Sequence, residues 1–355
     1  MFSLLASSPL GRRGIIRTAH GDIPTPCFMP VGTGGAMRGI TLEDLESLGA
    51  DILLCNTYHL HIRPGETVVR DAGGLHAFTG WRKPIITDSG GFQVFSLTDL
   101  RDVTDAGVHF QSHLDGTALF LGPEESIRIQ HTLGADIILC FDECPPSTAP
   151  REVQIAAVER TLRWAKRCKE VHDELKATSP SPPSLFAIVQ GGLERDLRER
   201  CVQELVAMDF DGYAIGGLAV GETEAEMMDI LDVVCPLLPA QKPRYLMGVG
   251  RLEQMRQAVK RGVDMFDCVL PMREARHGTI YLSSGERIRI TSNPYMRDHS
   301  PIDPDSPVPS SRTHARSYLN YLLRADERYG ETLACLQNLG VTLEMMRTLR
   351  EQLTP

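Results

Sequence analysis

No Cys-x-x-Cys pair occurs in this chain, although it carries nine cysteines. That absence removes the commonest spacing of zinc ribbons and dithiol redox enzymes. The cysteines sit mostly inside apolar runs: Cys55 in DILLCN, Cys140 in DIILCFDEC, Cys235 in LDVVC, Cys268 in MFDCVLP. An odd number so placed reads as reduced, buried thiols of a cytoplasmic protein, not as a disulfide framework. Basic excess is also missing. Lys plus Arg number 37 against 46 acids, a net charge of −9. The chain as a whole therefore has no field that attracts nucleic acid, and only a local basic patch would serve. No apolar stretch approaches the roughly eighteen residues of a membrane span. The apolar run in MFSLLASSPLGRRG is too short for a secretory signal, so no membrane partner is expected.

The pattern that is present repeats. Short apolar, β-branched runs fall at residues 27–33, 51–58, 84–91, 136–144, 184–192, 213–221, 243–250 and 265–271. Runs that are apolar throughout, without alternation, suit parallel strands buried on both faces. Amphipathic segments lie between them, among them TLEDLESLG, PEESIRIQHTLG, ERDLRERCVQELVAM and RLEQMRQAVKRG. Several start on Thr or Pro-Glu and stop at Gly, as helices do. Eight such units over residues 27–271 predict an α/β protein with a (β/α)8 barrel. An open doubly wound sheet is the rival, but no GxGxxG follows the first run.

Three parts stand outside the repeat. An N-terminal hairpin precedes the first barrel strand. Residues 97–122 alternate and predict a hairpin inserted after strand three. The segment after strand eight ends in two helical patterns within SYLNYLLRADERYGETLACLQNLGVTLEMMRTLREQL, expected to pack on the barrel. The expected division is a catalytic barrel over 1–290 and a C-terminal lobe over 291–355.

A barrel of this kind carries its site where the strands end. The informative residues there are Asn56, Asp88, Asp142, Glu143, Gln190, Gly216, Gly217, Met247 and Asp267. An Asp before Ser-Gly-Gly, such as Asp88, also suits a simple turn. Asp267, inside MFDCVLP, is harder to explain away, because a carboxylate in an apolar run faces a cavity or a burial cost. Paired glycines recur in DSGG (88–91), QGG (190–192) and IGG (215–217). Tight turns account for one such pair; three suggest a flat ligand lying against main chain. Phe92 and Met247 are placed to cover a planar ring. Beyond strand eight follow Arg273, Arg276, His277, Arg287 and Arg289, either a phosphate grip or a solvated face. Two carboxylates with a flat pocket fit glycosidic-bond chemistry, in which one attacks the anomeric carbon and one moves the leaving group's proton. Asp142, an acceptor-only group when ionised, suits the donor edge of guanine.

Seven segments carry a resemblance: NTYHLHIRPG (56–65), TDSGGFQVFSL (87–97), FDECPP (141–146), IVQGGL (188–193), IGGLAVGE (215–222), YLMGVG (245–250) and GVDMFDCVLPMREARHGTIY (262–281). Together they resemble the tRNA-guanine transglycosylases, over roughly residues 10–295. The resemblance implies a (β/α)8 barrel that exchanges guanine at the tRNA wobble position for a 7-deazaguanine. It implies that Asp267 is the nucleophile and Asp88 the general acid/base, with Asn56 beside it. It gives Asp142 and Gln190 the base's edge, Gly217 a backbone N–H, and Leu218 a carbonyl near the 7-substituent. Phe92 and Met247 become the ring's two covers, and Arg273 with Arg276 the grip on the anticodon loop. Cys144 and Val220 match the members that take 7-aminomethyl-7-deazaguanine; a smaller residue at the latter goes with bulkier queuine. The implied assembly is a homodimer acting in queuosine biosynthesis.

One implied feature is missing. The family's structural zinc is held by three cysteines and a histidine in the C-terminal lobe. Anchors of that lobe are present, PID at 301–303 and ARSYLNYLLRA at 315–325, yet the ligand positions fall on Ser306, Val308, Ser311 and Gln337. His299 and His314 remain nearby without any thiolate. No metal or other cofactor is therefore expected. Two further readings are open: a non-catalytic tRNA-binding subunit of a hetero-oligomer, or a transglycosylase acting on DNA. Retention of Asp88 and Asp267 argues against the first, and the Arg273–Arg276 pair against the second.

Overall fold

The computed structural model describes residues 2–97 and 101–353. Its chain opens with a three-stranded antiparallel sheet, β1 (Phe2–Ser8), β2 (Gly11–Thr18) and β3 (Gly21–Thr25). The barrel starts with β4 (Cys27–Met29), β5 (Leu53–Cys55) and β6 (Ile85–Thr87). A second antiparallel sheet is inserted there, β7 (Arg101–Val103), β8 (Val108–Gln111) and β9 (Ala118–Leu121). Five barrel strands follow: β10 (Ile137–Leu139), β11 (Ser184–Val189), β12 (Gly212–Ile215), β13 (Arg244–Leu246) and β14 (Met265–Asp267). Each expected hairpin thus has a third strand; residues 98–100 of the inserted segment lie outside the described residues.

The eight barrel strands are parallel neighbours in the order β4-β14-β13-β12-β11-β10-β6-β5. Hydrogen bonds from Leu54 N to Pro30 O (3.0 Å) and from Gly32 N to Leu54 O (2.8 Å) join the two ends. All eight coincide with the apolar runs of the sequence. Successive residues of a strand point to opposite faces, so each run supplies two cores. Leu54, Ile86, Leu139, Phe186, Ile188, Tyr245 and Met265 fill the barrel interior. Leu53, Cys55, Ile85, Ile138 and Ala187 face the surrounding helices. This double burial is why polar residues are tolerated only where the strands end.

The helices keep the starts that the sequence marks. Thr41 and Thr223 each cap a helix through a reciprocal box, with Asp44 and Glu226. The helix Pro123–Leu133 ends on Gly134 in the left-handed region. After β14 come the helix Leu270–Arg276 and a hairpin, β15 (Thr279–Tyr281) with β16 (Arg287–Arg289). Three helices close the chain, Pro309–Thr313, Arg316–Arg324 and Arg328–Gln352. The last two are the expected C-terminal pair. Asn338 ties the terminal helix to the barrel exit: it accepts from Tyr281 N at 2.8 Å and donates to Thr279 O and Pro271 O, both at 2.9 Å. No described helix is long and apolar enough to cross a membrane.

Candidate active site

A cavity of about 450 Å³ opens at the C-terminal ends of the barrel strands. Asn56 follows β5, Asp88 follows β6, Gln190 follows β11, and Asp267 is the last residue of β14. Asn56, Asp88, Phe92, Asp142, Cys144, Gln190, Gly217, Leu218, Val220, Met247, Asp267 and Arg273 all line it. Residues scattered over more than two hundred positions are brought together because every strand delivers its terminal polar residue to one rim.

Asp267 is held from one side only. Tyr245 donates its hydroxyl to Asp267 Oδ1 at 2.6 Å, and Gly248 N–H donates to the same oxygen at 2.8 Å. Gly248 sits at φ +74°, a conformation that presents its N–H inward. Oδ2 receives no hydrogen bond from another described residue, so one carboxylate oxygen is fixed and the other faces the cavity. Burial raises the Asp267 pKa above the ordinary carboxylate value, and the two donors pull it partly back.

Asp88 is held from both sides. Thr57 N–H donates to Oδ1 at 2.8 Å, while Asn56 Nδ2 and Gln93 Nε2 each donate to Oδ2 at 2.6 Å. Burial nevertheless dominates and raises its pKa, and the nearby Asp267 charge adds to the rise. Two desolvated carboxylates in one cavity, both displaced toward neutrality, are a configuration suited to proton transfer.

Asp142 accepts from Ser89 Oγ at 3.1 Å and from Gln190 Nε2 at 2.7 Å. Burial lifts its pKa to about 6, against those two hydrogen bonds. At neutral pH it is therefore an ionised acceptor aimed into the cavity. Gln190 is 1% exposed, and its Oε1 has no hydrogen-bond partner. Burial pushes the Cys144 thiol up to about 12, leaving it a neutral, polarisable wall.

The floor beside Gln190 depends on glycine. Gly217 lies at φ +63°, and a Cβ there would stand 2.3 Å from Gln190 Oε1. Of the three glycine pairs in DSGG, QGG and IGG, only 216–217 lines the cavity. Gly90 packs under Tyr58 and Leu121, and Gly191 and Gly192 press on Arg198 and Gln154. Those two pairs serve close turn packing. Glu143 also turns away from the cavity and pairs with Arg160. Arg287 is engaged by Glu274 at 2.6 Å, on the face of the β15–β16 hairpin. Arg273 stands at the mouth, shared with a neighbouring cleft of about 570 Å³ that also takes in Arg38, Arg63 and Arg276. Four arginines thus gather beside the site of a chain whose net charge is −9.

Four residues that sequence reasoning passed over complete the site. Tyr245 sits inside an apolar strand and reads as core. Gln93 lies in the short helix Gly91–Leu97 that follows DSG. Arg198, 0% exposed, looks like one more charge on an amphipathic helix, yet its guanidinium donates to the carbonyls of Val189, Gly192, Gly216 and Gly217 at 2.7–3.2 Å. Without a carboxylate partner, burial lowers its pKa to about 10, which still leaves it charged at neutral pH. Glu222 accepts from the N–H groups of Ala219 and Val220 and fixes the loop that carries Leu218.

Comparison with known proteins gives one consistent result. The family model described as queuine tRNA-ribosyltransferase matches residues 7–354. A queuine tRNA-ribosyltransferase of Halothermothrix orenii is 49% identical over 339 residues, covering 96% of this chain and 89% of that protein. Those of Lysinibacillus sphaericus and Acetivibrio thermocellus are each 49% identical over 340 residues, with 96% of this chain covered and 88% and 89% of theirs. The similarity therefore spans the C-terminal lobe as well as the barrel.

Proposed function

This chain belongs to the queuine tRNA-ribosyltransferase family, and we propose that it exchanges guanine at the anticodon wobble position of tRNA for 7-aminomethyl-7-deazaguanine. The reaction class is glycosyl transfer to a base, in queuosine biosynthesis. The observation that carries the reading is the pair Asp88 and Asp267: one buried and one half-buried carboxylate, both with raised pKa values, in one cavity, the second with an oxygen left facing the open space.

The chemistry follows from that pair. Asp267 Oδ2 attacks C1′ of the wobble ribose, the C1′–N9 bond breaks, and the base leaves with the proton that Asp88 supplies. The deazaguanine then enters the vacated place, passes its N9 proton to Asp88, and displaces Asp267 from C1′. Two inversions retain the configuration at C1′. Ionised Asp142 accepts from the N1–H and amino donors of the base, and Gln190 backs that edge by donating from Nε2 to Asp142 Oδ2 at 2.7 Å. Gly217 and Leu218 offer main chain to the 7-substituent, beside Val220 and Cys144. Phe92 and Met247 cover the ring, which has to leave its stack to reach them. Asn56 orients Asp88. Arg273 and Arg276 hold the phosphates around the exposed nucleotide.

We place the enzyme in the cytoplasm, where its nine free thiols and its tRNA substrate belong. A homodimer is supported by the exposed Tyr318, Tyr321 and Tyr329 on the C-terminal lobe. The deciding experiment is labelled-guanine exchange into tRNA and into DNA, with Asp267→Asn as control. Label entering tRNA alone, and lost in the variant, is the expected result. Exchange that survives Asp267→Asn removes the nucleophile assignment. Label in DNA removes the substrate assignment.

A further inference from the structure

The four positions where the resemblance implies zinc ligands converge in space. Ser306, Val308, Ser311 and Gln337 are each at most 2% exposed. Ser306 Oγ donates to Gln337 Oε1 at 2.6 Å and accepts from Val308 N–H at 3.0 Å. Ser311 O accepts from Asp303 N–H at 3.1 Å, and Ser306 N–H donates to Asp303 O at 3.2 Å. The geometry of a closed lobe is kept, but the donor set does not fit the metal. Zinc in a structural site takes four thiolate or imidazole ligands. Here two hydroxyls, one amide and one hydrocarbon stand in their place. The nearest imidazoles are engaged elsewhere, His299 with Ser317 Oγ at 2.9 Å and His314 with the Tyr329 hydroxyl at 3.2 Å.

What occupies the centre instead is a connected polar network. Gln337 Nε2 donates to Tyr281 O at 2.8 Å and to Asp303 Oδ2 at 3.0 Å. Asp303 Oδ2 also accepts from Ser283 N–H and Ser283 Oγ, both at 2.7 Å. Gln337 alone therefore joins three segments: the β15–β16 hairpin, the 301–313 loop and the terminal helix. All of its amide capacity but one acceptor lone pair is used, as a fully buried amide requires. Val308 fills its position by contact. Its Cγ2 would lie 2.4 Å from a Cβ on Gly340, so the terminal helix presses directly on it. Ser311 Oγ is the single member without a partner.

We propose that the C-terminal lobe is metal-independent, crosslinked by a buried Gln337–Ser306–Asp303–Ser283 hydrogen-bond network at the place where related lobes use zinc. A thiolate site and this network solve the same problem: the 301–313 segment, rich in proline and serine and ending in the short helix Pro309–Thr313, has few apolar groups to bury, and something polar has to fasten it. The network does so with neutral groups and one carboxylate, so no metal affinity enters the folding equilibrium.

The test has three arms, none reading the exchange reaction. Metal analysis of the chain purified from zinc-supplemented cells is expected to give zinc well below one per chain. Its melting temperature is expected to be unchanged by a strong chelator. One tightly held zinc per chain, or a chelator-induced fall in Tm, overturns the proposal. Gln337→Ala is expected to lower Tm distinctly; an unchanged Tm shows that the network is not the crosslink. The fourfold variant S306C/V308C/S311C/Q337H is expected to take up one zinc per chain and to melt lower with chelator. A folded fourfold variant that takes no zinc refutes the convergence of the four positions. Should that variant fail to fold, the wild-type metal content and the Gln337→Ala melt still decide.

Discussion

Tyr245 and Asp267 lie on adjacent barrel strands, and the Tyr245 hydroxyl donates to Asp267 Oδ1 at 2.6 Å. The tyrosine is 1% exposed, so this bond works in a dry environment. It fixes which carboxylate oxygen is free and lowers a pKa that burial raises. Tyr245→Phe removes it without changing shape. A hydrogen bond to a charged group contributes about 1.5–3 kcal/mol. The variant is therefore expected to lose roughly 10- to 100-fold in kcat, with KM for tRNA nearly unchanged. The acid limb of its pH–rate profile should also move upward, because Asp267 has to be ionised to attack and loses a group that favours ionisation. A limb that stays in place separates the tyrosine from the nucleophile.

Asp142 links recognition to stability. Its pKa stands at about 6 in the folded chain, above its ordinary 3.8. The native state then binds this proton more tightly than the unfolded state does. The resulting stability is complete below about pH 4 and is lost as pH rises through about 6. Above that, the ionised group costs up to roughly 3 kcal/mol. Asp142→Asn removes the charge while keeping the shape, and Gln190 can turn its free Oε1 to accept from the new amide. The expected outcome is a higher Tm than wild type at pH 7.5, little difference at pH 4, and a strongly raised KM for the base. Equal Tm differences at both pH values would contradict the assigned titration.

Arg198 supports the base pocket from beneath. Arg198→Met keeps much of the volume but removes the guanidinium from four carbonyls, among them those of Gly216 and Gly217, while Val189 O keeps its bond from Gly216 N–H at 3.1 Å. Losing bonds of a charged donor and leaving buried acceptors unmet is expected to cost at least about 3 kcal/mol in urea unfolding. KM for the base should rise with it. A variant of native stability would mean that the loop is held by other contacts.

On the proposed reading Val220 crowds the 7-substituent; its N–H is held by Glu222 at 3.2 Å. Val220→Gly is expected to raise the rate with queuine relative to the aminomethyl base, by roughly tenfold for the removed branched side chain. Wild-type enzyme using both bases equally fast would sink the pocket-size argument.

Arg273 and Arg276 are expected to act through phosphate. Arg273→Ala should raise the Kd for tRNA while leaving the exchange rate at saturation close to wild type. The slope of log K against log salt should shrink by roughly 0.7 for the lost contact. Filter binding across a salt series reads both quantities, and an unchanged slope argues against a phosphate contact.

The sequence by itself determined the eight strands, because a strand buried on both faces is written as a continuous apolar run. It also determined the rim residues Asn56, Asp88, Asp142, Gln190 and Asp267, because a polar residue ending such a run stands out against it. The paired glycines were legible as a pattern but not as a purpose: only 216–217 reaches the cavity, while the others serve turns. Tertiary structure alone decided what depends on meeting across space. Tyr245 resembles any core residue until Asp267 arrives beside it, and Arg198 resembles a surface charge until four carbonyls close over it. The same holds for Gln337. In sequence it marks only a missing histidine; folded, it sits 2.6 Å from Ser306 and fastens three segments. Hydrogen-bond partners are set by distances between chain-remote atoms, and no local periodicity encodes those.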